Sequence, residues 1–311
     1  MDKIIFFHMN QLGDLLFSLP VLKATKQKYP NIKIYCVARK NLAELLKSTK
    51  LVDKIFLKVG SLGAEIDLMA DIKREKIDTA LLFSESPESL LLAYLSKIKN
   101  RVGFKSASLK FLLTQTVEKI GVPSLNNNIV LAKAIGIDNV QKDYLNVLKV
   151  DGESEVKISF WLEANKILNK DFIVVSFGAS KRRQEKCLRK EVWIETLNKL
   201  AEMKKNVVVV CAQWEKESVM KIMKYVSKDV KLFCPENGLV ELAALISKAK
   251  MFIGIDSGTM HLAASLGIKC IALYGNTDPS QIGPRPLQNH IIIKKNSAKD
   301  VIATDILENI K

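Results

Sequence analysis

The chain has little of what metal and redox centres are made from. Three histidines (His8, His261, His290) and five cysteines (Cys36, Cys187, Cys211, Cys234, Cys270) are scattered over 311 residues. No histidine pairs with cysteines at zinc-binding spacing, so no structural metal is expected, and the odd, widely spaced cysteines read as reduced thiols. No apolar run approaches the ~18 residues a membrane span requires. The N-terminus carries Asp2 and Lys3 ahead of a short apolar strand and lacks signal-peptide architecture, which points to the cytoplasm. Aromatics are only 7% of the chain and do not interleave with basic residues. Nucleic-acid binding is therefore not expected, although the net charge is +15. A G-x-G-x-x-G fingerprint, a P-loop ending in Gly-Lys-Ser/Thr and a D-x-D motif are all missing.

What is present is an apolar fraction of 48%, enough for a globular core, and a length that suits two domains. Residues 1–150 hold 23 Lys and Arg against 14 Asp and Glu, a balance of +9, leaving +6 for the rest. Such a spread suits a phosphorylated ligand or an anionic membrane surface, and equally a set of solvated lysine-rich helix faces. Apolar runs at Lys3–His8, Asn31–Ala38, Lys54–Val59 and Thr79–Phe83 alternate with helical patterns, and the same alternation restarts at Phe172–Ser176 and Asn206–Cys211. This spacing predicts an α/β fold of two doubly wound parallel sheets facing a cleft, residues 1–152 and 153–311. The polar stretch Asp151-Gly152-Glu153-Ser154 reads as the boundary, and the last helix, around Asp300–Ile310, is free to pack back on the first domain. The loop Met9–Asp14 is expected to precede a helix interrupted at Pro20.

Four strand-end segments offer chemistry. In Met9-Asn10-Gln11-Leu12-Gly13-Asp14, Asp14 opens a helix; it is either a dipole-stabilised acid or a general base. Ser176–Lys186 places four cations in six residues after a Gly-Ala-Ser turn, with Gly178, Ser180, Arg183 and Lys186 suited to a diphosphate. Glu215 and Glu217 follow the four-valine strand, where an acid commonly takes ribose hydroxyls. The most informative stretch is Met251–Arg285: a buried strand, the turn Gly254–Gly258, a helix from Thr259 to Leu266 ending at Gly267, and a second glycine loop. Its helix N-terminus is an anion site flanked by Asp256 and His261, or else an ordinary capped corner.

Three blocks resemble the lipopolysaccharide heptosyltransferases, glycosyltransferase family 9. They are Gly13-Asp14-Leu15 with Ser18-Leu19-Pro20; Gly178-Ala179-Ser180 with Arg183, Lys186 and Trp193; and Asp256-Ser257-Gly258-Thr259-Met260-His261-Leu262-Ala263-Ala264 followed by Leu273-Tyr274-Gly275-Asn276-Thr277-Asp278-Pro279. The resemblance implies a GT-B fold of two Rossmann-like domains and an inverting transfer that uses no metal and no cofactor. The donor would be a nucleotide sugar, ADP-heptose. The acceptor would be a lipid-anchored, phosphorylated glycan, a Kdo- or heptose-bearing lipid A precursor, reached by a monomer bound peripherally at the inner membrane. By the same carry-over Asp14 is the base, in a loop with Asn10, Gln11 and Gly13. Lys186, Ser180, Arg183 and the N–H groups of Gly258, Thr259 and Met260 hold the diphosphate. Asp256 holds sugar hydroxyls, His261 lies by the sugar phosphate, and Glu215, or less favourably Glu217, holds the ribose. Asn276 stands where the family often has proline, and the basic loop is one residue longer than the family pattern.

Overall fold

The computed structural model describes residues 1–8, 11–58, 60, 62–121, 123–178 and 183–310. The chain divides into two compact units, Met1–Lys149 and Val150–Lys311.

The first unit runs β1 (Lys3–Phe7), α1 (Leu12–Lys28), β2 (Lys33–Arg39), α2 (Lys40–Ser48), β3 (Lys54–Lys58), α3 (Leu62–Arg74), β4 (Thr79–Leu82), α4 (Pro87–Leu95), β5 (Asn100–Phe104), β6 (Gln115–Val117) and α5 (Ser124–Ala134). All its strand pairs are parallel, in the order β3-β2-β1-β4-β5-β6. Ile4–Phe7 and Ile34–Ala38 are buried throughout, because helices cover both faces of the sheet, so these strands read as continuous apolar runs. The edge strand β6 is only three residues long and largely exposed, and it carries no such signal.

Helix α1 departs from the sequence expectation in its start and in its continuity. It begins at Leu12, so Gly13 and Asp14 lie in its first turn, and it passes through Pro20 unbroken. Pro20 has no N–H for the Leu16 carbonyl, a loss of about 3 kcal/mol in an isolated helix. Here every residue from Leu15 to Leu22 is buried, and that packing holds the helix through the defect. At the carboxyl end of β1, the His8 ring lies 2.9 Å from Ser18 Oγ through Nδ1 and 3.2 Å from Cys36 Sγ through Nε2. Burial pushes its pKa down to about 3, so His8 is a neutral core group.

The second unit runs α6 (Gly152–Ala164), β7 (Phe172–Ser176), α7 (Lys190–Glu202), β8 (Asn206–Val210), α8 (Lys216–Met223), β9 (Lys231–Phe233), α9 (Leu239–Ser247), β10 (Met251–Ile255), α10 (Gly258–Ser265), β11 (Cys270–Tyr274), α11 (Pro279–Ile282), β12 (Ile291–Lys294) and α12 (Ala303–Leu307). The polar stretch at 151–154 is helix-cap chemistry rather than linker: the Asp151 carboxylate accepts the Ser154 N–H at 2.9 Å and opens α6. The closing helix α12 belongs to this unit, packing on α7 with Ile306 and Ile310 in the shared core.

The second sheet, order β12-β11-β10-β7-β8-β9, is again wholly parallel and repeats the first order when its strands are counted from one. Each sheet therefore reverses direction of winding once, between β1 and β4 and between β7 and β10. Open α/β sheets bind ligands outside the carboxyl ends of strands at that reversal. The loops after β1, β7 and β10 are the ones the sequence singles out. No helix among the described residues is long and apolar enough to cross a membrane.

Candidate active site

In the second unit the site is assembled from the ends of β7, β10 and β11. The loop after β7 is pinned by Phe177, whose ring centroid lies 5.0 Å from that of the buried Trp193 on α7. This is what the tryptophan of the basic block does: it is a packing anchor. Ala179–Arg182, and with them the expected diphosphate ligand Ser180, lie outside the described residues. The chain is described again at Arg183 and makes a single 3-10 turn, Gln184–Lys186. That turn aims Lys186 back over the sheet, with Nζ 2.5 Å from Asp256 Oδ2. The same oxygen accepts a hydrogen bond from Thr277 Oγ1 at 2.8 Å. Asp256 is 5% exposed and sits directly at the end of β10.

Helix α10 starts two residues later. Ser257 is its N-cap, accepting the Met260 N–H at 3.4 Å, while the N–H groups of Gly258 and Thr259 have no acceptor among the described residues. They add the partial positive charge of a helix start to the Lys186 ammonium. Gly267, at φ +76°, closes the helix as the sequence suggests. His261 is buried beneath. Burial chiefly pushes its pKa down to about 4, with Lys186 and Arg285 adding to the shift and Asp256 opposing it. His261 is thus neutral at physiological pH, a hydrogen-bonding ring and not a cation.

Glu215 and Glu217 separate clearly. Glu217 is on the outer face, 2.9 Å from Lys221. Glu215 turns inward, accepts the Ala212 N–H at 2.9 Å, and fills the space above Gly178. A Cβ on Gly178 would fall 1.7 Å from Glu215 Oε1. The bare backbone of Gly178 leaves room for this carboxylate, which a side chain at 178 would have to displace. Burial raises the Glu215 pKa, against the opposing Ala212 bond. Arg183 is not brought to this cluster. Its guanidinium is more than half exposed, 3.5 Å from Glu185. Thr277 and Arg285 are residues to which the sequence assigned no role.

In the first unit Asp14 stands in the first turn of α1, with Gly13 before it and Gln11 as N-cap; Asn10 lies outside the described residues. Burial raises the Asp14 pKa above its ordinary value. The helix dipole acts the other way, and a raised value is what a base at neutral pH requires. Asp14 also lines a cavity of about 130 Å³ with Phe17, Phe104, Lys119 and Asn128. Larger cavities, about 390 Å³ by Leu162 and Lys248 and about 330 Å³ by Lys28 and Ile137, lie away from the strand carboxyl ends. Among the described residues no group of three or more His, Cys, Asp or Glu side chains is placed to hold a metal ion.

The family model for glycosyltransferase family 9 (heptosyltransferase) matches residues 66–311, the whole second unit and more than half of the first. The chain belongs to this family. It is accordingly a glycosyltransferase, with the GT-B fold of two Rossmann-like units. Lipopolysaccharide heptosyltransferase 2 of Salmonella typhimurium is 24% identical over 301 residues, 91% of this chain and 85% of the relative. The solved Escherichia coli ADP-heptose lipopolysaccharide heptosyltransferase II superposes with a TM-score of 0.84 at 21% identity, covering 98% of this chain and 96% of that one. An Escherichia coli heptosyltransferase solved with ADP gives 0.80 at 19%, covering 99% and 98%. At these identities the structural likeness speaks for the fold. The block around Asp14 precedes the matched part of the family model and stands on its own geometry.

Proposed function

We propose that this family 9 glycosyltransferase moves a heptose from ADP-heptose to a lipopolysaccharide inner-core acceptor, a Kdo- or heptose-bearing lipid A precursor, with inversion and without a metal. The observation that carries the reading is the Lys186–Asp256–Thr277 cluster at the N-terminus of α10, in a chain whose family is heptosyltransferases. The acceptor hydroxyl oxygen attacks the anomeric carbon of the sugar, the bond from that carbon to the diphosphate oxygen breaks, and Asp14 takes the hydroxyl proton. Negative charge then grows on the departing ADP. Lys186 and the Gly258 and Thr259 N–H groups are fixed before the reaction to receive it, so no reorganisation is required as the bond breaks. Asp256 orients Lys186 and offers its second oxygen to sugar hydroxyls. Neutral His261 lies by the sugar phosphate. Glu215, seated over Gly178, is the ribose ligand in this reading, and Ser180 belongs to the phosphate loop, while Arg183, beside Glu185 and away from the Lys186 cluster, is given no part. The balance of +9 in residues 1–150 suits peripheral docking of a monomer on the anionic inner membrane face, where the acceptor is anchored.

A GT-B enzyme using another nucleotide sugar in surface-glycan synthesis would share most of these features. The base decides between them. ADP is expected to raise the melting temperature well beyond UDP or GDP at equal concentration, since only a matched nucleoside binds the folded state strongly. A larger shift with UDP or GDP would overturn the ADP assignment.

A further inference from the structure

The first unit carries an apolar face that the site's chemistry does not use. On α4, Leu91, Tyr94 and Leu95 recur at the i, i+3, i+4 spacing that puts side chains on one side of a helix, and each is roughly half exposed. Phe111 lies in the 3-10 turn Lys110–Leu112, which packs against α4, and is 76% exposed. Arg101 ties the two segments together. Its guanidinium carbon lies 5.4 Å from the Tyr94 ring centroid, and its Nε donates to the Leu112 carbonyl at 2.7 Å. The charge along this stretch has one sign: residues 89–117 contain Lys97, Lys99, Arg101, Lys105 and Lys110 and no Asp or Glu. Lys105 is paired with Glu118, whereas Lys97, Lys99 and Lys110 have no carboxylate partner among the described residues.

We propose that this face docks the protein on an anionic lipid bilayer, with Leu91, Tyr94, Leu95 and Phe111 entering the boundary between headgroups and acyl chains and Lys97, Lys99, Arg101 and Lys110 meeting the phosphates. Side-chain chemistry and charge together select that occupant. Exposed aliphatic and aromatic side chains rimmed by cations match a surface that is apolar on one side and anionic on the other. Tyr94 suits it in the same way, with its ring in the apolar layer and its hydroxyl in the wet one. A second copy of the chain would bring the same cations against these, and like charges oppose that pairing. A contiguous exposed apolar patch of this kind marks an interaction site and not a packing remainder. The membrane as occupant deepens the function proposed above and rests on its lipid-anchored acceptor; the face itself rests on its exposure and charge.

Co-sedimentation of the full chain with vesicles of phosphatidylethanolamine and phosphatidylglycerol, free of any glycan acceptor, tests this without turnover. The protein should sediment with them, come off as salt is raised, and stay in solution with vesicles of phosphatidylcholine alone. Lys97→Gln together with Lys99→Gln should lower the partition about 25-fold, at about fivefold for each cation near an anionic surface. Phe111→Ser should lower it about tenfold. Both variants should melt with the parent and keep ADP affinity within twofold, since the replaced side chains are exposed. Phe160→Ser, at a similarly exposed phenylalanine on α6 of the second unit, is the control and should leave the partition unchanged. No sedimentation of the parent, partition unchanged in the Lys97, Lys99 and Phe111 variants, or an equal loss in Phe160→Ser overturns the inference. So does a dimer that dissociates on Phe111→Ser, which would assign the face to a second copy. Vesicle binding that follows these substitutions in a protein that transfers no heptose keeps the docking face and removes the proposed reaction. Transfer to a water-soluble acceptor by a protein that ignores the vesicles does the reverse.

Discussion

Asp14→Asn is expected to lower kcat by about 10²–10⁴-fold, the range a positioned general base contributes. ADP binding should stay within twofold, because Asp14 belongs to the first unit and the cluster assigned to ADP belongs to the second. The pH profile makes the test sharper. Burial holds the Asp14 pKa above its ordinary value, so the ionised base is gained as pH rises through that raised value. The acid limb of kcat/KM should therefore lie above the ordinary carboxylate range and vanish in the variant. Linkage fixes the sign for stability: a carboxyl with a raised folded pKa costs stability where it is ionised, above that pKa. The neutral amide introduced by Asp14→Asn would relieve this cost, so the variant should melt at or above the parent temperature at pH 7. Retained transfer would remove Asp14 as the base.

Lys186→Ala combines two losses. Removing one preorganised donor to a developing anion costs about 10²–10³ in kcat. It also strands Asp256, which is 5% exposed and would keep its hydrogen bond from the Thr277 hydroxyl without the ammonium. Breaking one side of a buried pair costs about 3–5 kcal/mol, so the melting temperature should fall by several degrees. Adding Asp256→Asn to Lys186→Ala removes the stranded charge. The double variant should regain stability and remain inactive, which shows that the lost activity is not a consequence of lost stability. Recovery of turnover together with stability would show that Lys186 acts only as a partner for Asp256.

Most of the fold was readable because its strands are buried on both faces and so appear as apolar runs; β7 matches its expected limits to the residue. What escaped had no such signal. Strand β6 is exposed at an edge, and α6 opens with Asp-Gly-Glu-Ser, a cap that looks like a linker until its first turn is seen. Helix α1 crosses Pro20 because tertiary packing outweighs a local preference. At the site, Lys186, Asp256, His261 and the α10 N-terminus were legible from strand-end position and residue type. The preference for Glu215 over Glu217 came with the resemblance, and the structure separates the two: Glu217 faces outward beside Lys221, and Glu215 turns in over Gly178. Arg183 looked equivalent to Lys186 in a run of cations, and the turn at 184–186 separates them.

The central claim is the transfer itself. Purified protein is incubated with ADP-heptose and O-deacylated lipid A precursors carrying Kdo, with or without a first heptose, in the presence of EDTA. ADP release and product mass are followed together. The account predicts stoichiometric ADP release, one heptose added with inversion at its anomeric carbon, and no loss of rate to the chelator. ADP release no greater than in the acceptor-free control, with every such acceptor, would contradict it.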